Sequence, residues 1–164
     1  MTIAELNALN HDEFVRALGG VFEHSPWVAE RTWNARPFPD LDTLHSAMVR
    51  QVEQASPEET LALLRAHPDL GTRARMSSES VSEQAGAGLD QLTPDEFERL
   101  RRLNAEYREK FGFPFLLAVK GSTKYDVLAG LASRLENAVE QEYAEALRQV
   151  YRIARFRLQA MIAE

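Results

Sequence analysis

The chain has no cysteine. Disulfides, thiolate nucleophiles and cysteine-ligated zinc are therefore excluded, and a reducing compartment is compatible with the composition. Histidine is scarce as well: His11, His24, His45 and His67 are the complete set. No two of them fall at the helical i, i+4 spacing of a metal pair, so no metal site is expected. Positive charge is in deficit, with 19 Lys and Arg against 25 Asp and Glu for a net charge of -6. Phosphate binding needs a basic surface, so nucleic acid is not expected as the partner. No apolar run approaches the roughly 18 residues of a membrane span. The N-terminus lacks a signal-peptide pattern, and the final Met161-Ile162-Ala163-Glu164 is no peroxisomal address. A cytoplasmic protein with no membrane partner is expected. Glycine-rich phosphate loops and a nucleophile elbow are missing too. Lys110, Lys120 and Lys124 read as solvated, although a Schiff-base lysine stays open. Gly86-Ala87-Gly88 reads as a close-packing feature within a helix.

What remains is helix. The 164 residues, 45% of them hydrophobic, suit one domain with a substantial core. Start signals recur: Thr2 with Glu5 and Asn10 with Glu13 set a cap oxygen and an acid three apart. Ser56-Pro57 and Thr93-Pro94 add proline at the first helical position, and Ser25-Pro26 is read as opening a helix the same way. Helices are predicted near 3–9, 11–18, 26–35, 41–54, 57–66, 79–88, 94–110, 124–136 and 138–162. Leu41, Leu44, Met48 and Val52 share one face, as do Phe97, Leu100, Asn104 and Tyr107. Only Phe113–Val119 is strand-like, and one short strand makes no sheet. The expectation is an all-α, single-domain irregular bundle of about eight or nine helices over 1–164.

Four places in this pattern carry chemistry or packing. In Ala66-His67-Pro68-Asp69-Leu70-Gly71, Pro68 disfavours helical geometry at His67 and Gly71 permits a tight turn. An imidazole, which ordinarily titrates near ~6.5, is thus held at a helix end on a stiff corner. Taken alone, such a histidine is usually structural. The following non-helical stretch, His67–Ser78, contains Arg73 and Arg75, and structured loops of that length are often functional.

On the next helix Val81, Ala85, Gly88, Leu89 and Leu92 make an apolar stripe, while Ser80, Glu83 and Gln84 share another side. That polar set either reads a ligand or is a solvated first turn. On the last helix Arg157 falls in the apolar stripe of Val139, Tyr143, Ala146, Leu147, Val150, Ile153, Ala154 and Met161, whereas Arg148, Arg152, Arg155 and Gln159 form a solvated stripe. An arginine so placed must snorkel, pair with a carboxylate or face an anion. The run Lys110-Phe111-Gly112-Phe113-Pro114-Phe115-Leu116-Leu117-Ala118-Val119-Lys120-Gly121 is either a buried connector or a backbone surface for a ring-shaped ligand.

Together, His67-Pro68-Asp69-Leu70, Ser80-x-x-Glu83-Gln84-x-x-x-Gly88-Leu89, Asn104-x-x-Tyr107, Lys110-Phe111-Gly112-Phe113-Pro114-Phe115 and Arg157-Leu158 resemble one family over nearly the whole chain. It is the OHCU decarboxylases, which act on 2-oxo-4-hydroxy-4-carboxy-5-ureidoimidazoline in the oxidation of urate to (S)-allantoin. The resemblance implies an all-helical, cofactor-free, homodimeric decarboxylase. The family's catalytic histidine falls on His67, its partner carboxylate on Glu83 and its substrate-facing arginine on Arg157. Substrate contacts fall on Pro68, on Ser80 through Gln84, and on the backbone of Phe115, Leu116, Leu117 and Val119. A non-catalytic helical interaction module and a decarboxylase of a related ureido acid are the competing readings.

Overall fold

Side-chain caps start most of the helices. In the computed structural model, which describes residues 1–71 and 77–163, Thr2, Asn10, Ser56, Thr93 and Thr123 each accept from the backbone N–H three residues on, and the acid there returns a bond to the cap. These are full capping boxes, each satisfying two otherwise orphaned donors. The helices that follow are α1 (Ile3–Asn7), α2 (His11–Leu18), α3 (Trp27–Thr32), α4 (Leu41–Glu53), α5 (Pro57–Arg65), α6 (Ser78–Gly86), α7 (Pro94–Phe111), α8 (Lys124–Arg134) and α9 (Val139–Met161). A 3-10 turn, Trp33–Ala35, continues α3. No strand is found among the described residues; the Phe113–Val119 run is non-helical and unpaired. All nine expected helices are present, and the fold is all-α.

Three local expectations are corrected. Ser25 does not cap α3: its hydroxyl donates to the Glu23 carbonyl at 2.9 Å, and Pro26 sits at the N-cap in helical geometry, so the helix opens one residue later than at Pro26. Gly86-Ala87-Gly88 is a helix stop and not a packing feature. Gly88, at φ +78°, lets Leu89 N–H reach the Gln84 carbonyl at 3.0 Å while its own N–H reaches that of Ala85 at 3.0 Å. That double closure is the Schellman motif, and a Cβ built on Gly86 or Gly88 would touch nothing. Lys124 is not simply solvated: its ammonium lies 2.7 Å from Glu96 and also donates to the Gln91 carbonyl.

The described chain forms two compact units, Met1–Ala66 with Tyr151–Glu164, and His67–Val150. In the first, Leu6, Phe14, Phe38, Leu44, Met48, Leu63 and Leu158 are buried, so the face predicted for α4 is the core face. Arg31 of α3 pairs with Glu59 of α5. The Arg31 guanidinium, helped by the Ser56 N–H, pulls the Glu59 carboxyl down to about 2. A depressed carboxyl stabilises the fold above its unfolded pKa and ceases to as pH falls through the folded one. The pair should therefore lose its contribution between about pH 4.5 and pH 2, and Glu59→Gln should flatten that part of a stability-against-pH curve measured by urea unfolding. An unchanged acid limb would refute this.

In the second unit Leu100, Tyr107, Phe111, Phe113, Phe115, Val127, Leu131 and Ala146 are buried. Tyr107 packs edge-on to Phe115 at 5.4 Å and against Phe111 at 4.5 Å, and Phe113 meets Tyr143 at 6.2 Å. Such aromatic pairs add about 0.5–1.5 kcal/mol each beyond area burial.

Candidate active site

Helix α5 delivers His67. It starts at the Ser56 capping box with Pro57 in its first turn and stops at Arg65, with Ala66 as its C-cap. Stopping there agrees with the restriction Pro68 places on the preceding residue. His67 is buried, at 5% exposure. The three residues after Pro68 are each fixed from outside the corner. Asp69 accepts from Arg108 Nε at 3.1 Å, the Leu70 carbonyl accepts from Asn104 Nδ2 at 3.0 Å, and Gly71 N–H donates to Gln84 Oε1 at 2.9 Å. Helices α6 and α7 therefore clamp the turn that carries the histidine. A cavity of about 200 Å3 beside the turn is lined by Asp69, Leu70, Gly71 and residues of α7, without His67.

Gly71 is demanded by its backbone geometry. Its φ is +75°, and a Cβ there would lie 2.4 Å from Leu100 Cδ2. Left-handed geometry costs an L-residue about 1–2 kcal/mol, while the clash is with the tip of a leucine beside a cavity and is relieved when that side chain shifts. Gly71→Ala should thus lose about 1–2 kcal/mol of stability in urea denaturation; an unchanged midpoint would show that the turn relaxes freely.

Helix α6 departs in part from the orientation predicted: Leu89, just beyond its end, is buried as expected, but the stripe residues within the helix are not. Val81, at 53% exposure, and Ala85 face solvent, while Ser80 and Gln84, at 5% and 7%, are buried; Glu83 is half-buried. The reason is hydrogen bonding: Gln84 turns inward to accept the Gly71 N–H. A buried amide requires a partner, and an exposed valine costs little. Ser77 caps the helix by accepting from Ser80 N–H at 3.1 Å.

The Phe115–Val119 segment has no helical bonding of its own. Arg134 Nη1 donates to the Leu116 carbonyl at 2.6 Å, and Ala118 N–H donates to Gln149 Oε1 at 3.0 Å. Pro68 is half-buried, and Phe115, Leu116 and Val119 are buried with Leu117 half-exposed. His67, Pro68, Ser80, Glu83, Gln84 and the Phe115–Val119 backbone all belong to the second unit.

Arg157 belongs to the first. It is buried, as its helical face predicts, donates to the Gly20 carbonyl at 3.0 Å and lies 3.7 Å from the carboxylate of Glu23, itself fully buried. Among the three options for such an arginine, carboxylate pairing is realised. On the solvated stripe Arg155 pairs with Asp42. Arg73 and Arg75 lie outside the described residues.

Sequence reasoning missed a buried polar cluster. Glu142, with no exposed surface, accepts from Tyr107 Oη at 2.6 Å, Asn137 Nδ2 at 2.9 Å and Arg134 Nε at 2.5 Å. Burial and the bond to Glu142 push the Tyr107 hydroxyl well above its ordinary pKa, so it stays a donor. Asn104 and Tyr107 on one apolar face were the available signal, because buried amide and phenol groups require partners.

No group of three or more histidine or acidic side chains poised for a metal occurs among the described residues. The arrangement is that of an all-helical protein with an imidazole, a carboxylate and a guanidinium partly or wholly withdrawn from water. Comparison with known proteins makes the class specific. A family model described as OHCU decarboxylase matches residues 7–159. The chain is 48% identical over 158 residues to the 2-oxo-4-hydroxy-4-carboxy-5-ureidoimidazoline decarboxylase of Haloferax volcanii, covering 96% of this chain and 94% of that one. It is 47% identical to the uric acid degradation bifunctional protein PucL of Bacillus subtilis, covering 99% of this chain and 33% of that protein. The crystal structure of (S)-allantoin synthase superposes with a TM-score of 0.82 at 37% identity, over 99% of this chain; the chain spans about half of that one, 54%. The chain belongs to the OHCU decarboxylase family.

Proposed function

We propose that the chain removes carbon dioxide from 2-oxo-4-hydroxy-4-carboxy-5-ureidoimidazoline to give (S)-allantoin, with His67, Glu83 and Arg157 as its chemical groups. The observation that carries the reading is the buried polar face of α6, tied through Gln84 to the turn that holds His67. It is the face on which the family resemblance sets the substrate contacts Ser80, Glu83 and Gln84.

The chemistry balances with these side chains. The bond between the ring carbon and its carboxylate breaks, and its electron pair forms a double bond to the ureido-bearing carbon. The adjacent C=N bond takes up the displaced pair on nitrogen, which is then protonated. Glu83 removes the proton of the ring hydroxyl as that carbon becomes a carbonyl. His67 delivers a proton to the ureido-bearing carbon from one face, which sets the (S) configuration. One proton is consumed overall. The substrate is its own electron sink, so the proposal requires neither cofactor nor metal. Arg157 orients the carboxylate by charge-assisted hydrogen bonds, and the segment from Phe115 to Val119 offers peptide groups to the ring. The protein is further proposed to be a cytoplasmic homodimer with no nucleic-acid or membrane partner; no helix among the described residues is long and apolar enough to cross a membrane.

The test is to follow freshly generated substrate by circular dichroism. Accelerated appearance of the (S)-allantoin signal is expected. Decay at the uncatalysed rate would return the chain to a helical interaction module, and turnover only of another ureido acid would change the substrate.

A further inference from the structure

We propose that Arg134, held by Glu142, is a positioning residue for the reaction: it fixes the peptide groups that the Phe115–Val119 segment presents to the substrate. The inference rests on the functional reading above, in which that backbone contacts the ring. A non-helical segment has no internal ladder, so its pose depends on groups outside it. Side chains of α8 and α9 anchor this one, Arg134 on the Leu116 carbonyl at 2.6 Å and Gln149 on the Ala118 N–H at 3.0 Å, and the Ser122 N–H donates to the Val119 carbonyl at 2.9 Å.

Arg134 does more than fill space. Its guanidinium also lies over the Phe115 ring, 4.4 Å from the centroid, and bonds the buried Glu142 carboxylate through Nε. A planar fork joins ring, carbonyl and carboxylate in one geometry, which a lysine ammonium does not reproduce. Glu142 is fixed in turn by Tyr107 and Asn137. The chain of contacts runs from α7 and α9 through Arg134 to the Leu116 peptide, and all of it lies within the second unit.

Three proteins test this: the parent, Arg134→Met and the milder Glu142→Gln, which keeps the size and one acceptor oxygen but removes the charge that grips the guanidinium and turns the second acceptor into a donor. Folding is checked by thermal unfolding, and each is assayed well below its Tm. The expected result is a fall of about 10- to 100-fold in kcat/KM, the scale on which small misplacements of binding groups act, with the pH profile unmoved. Amide exchange at Leu117 and Val119 should rise at least ~10-fold in either variant, while exchange in the middle of α7 stays put. A role confined to stability lowers Tm and leaves both kcat/KM and the local exchange at parent values, and that result overturns the proposal. Failure of the functional reading is separate: the parent itself would then not turn over the substrate, while the exchange measurement still reports whether Arg134 holds the segment.

Discussion

His67→Ala is expected to lower the rate of (S)-allantoin formation by about 10²–10⁴-fold, the range a positioned general acid or base supplies. The turn keeps its contacts at Asp69, Leu70 and Gly71 in the variant, and thermal unfolding checks that the fold survives before the rate is read. Whatever allantoin still forms should lose its handedness, since proton delivery from one face is the step removed. Glu83→Gln should fall comparably: an amide can still bond the ring hydroxyl but cannot take its proton. Circular dichroism of freshly generated substrate reads rate and handedness together. Either variant making (S)-allantoin at the parent rate would show that its residue has another role.

Arg157→Ala should fail in two ways. Arg157 lies 3.7 Å from Glu23, with side-chain exposures of 5% and 0%. Removing one member of a buried ion pair typically costs about 3–5 kcal/mol, because the remaining charge keeps its desolvation penalty. The Gly20 carbonyl loses a charged donor as well. Substrate binding should weaken too, with a large rise in KM or loss of turnover. Glu23→Gln separates the two effects, for it relaxes the pair while leaving the guanidinium in place. The expectation is lower stability for both variants and impaired kinetics chiefly for Arg157→Ala. Equal kinetics in the two, normalised to folded protein, would make Arg157 a packing residue only.

Helix positions were legible in the sequence because local chemistry sets them. A cap oxygen and an acid three residues later act within one turn, joined in α5 and α7 by a proline between them, and α1, α2, α5 and α7 start where those signals stand. Burial of Arg157 was legible for a similar reason, since its place on the stripe follows from spacing alone. The orientation of α6 was not. Hydropathy assigns Val81 and Ala85 inward, whereas Ser80 and Gln84 are buried and Gln84 accepts from the N–H of a residue 13 positions away. The Arg134–Glu142 pair was invisible for the same cause: a charged residue in a first or last turn reads as complementing the helix dipole, and only tertiary contacts reveal the carbonyl and phenol that hold it. Ser25 misled because a serine before a proline signals a cap only when its hydroxyl is not already engaged.

The clamp on the histidine turn also orders events during synthesis. Gly71 waits 13 residues for Gln84, Leu70 waits 34 for Asn104, and Asp69 waits 39 for Arg108. Closure entropy grows only as the logarithm of these separations, so the later bonds are no great burden once their donors exist. Until α7 has left the ribosome, however, the turn that carries the imidazole lacks its bonds to Asn104 and Arg108. Vectorial growth of the chain thus leaves this corner unfinished well after α5 is complete, and the clamp closes when the residues from Asn104 to Arg108 arrive.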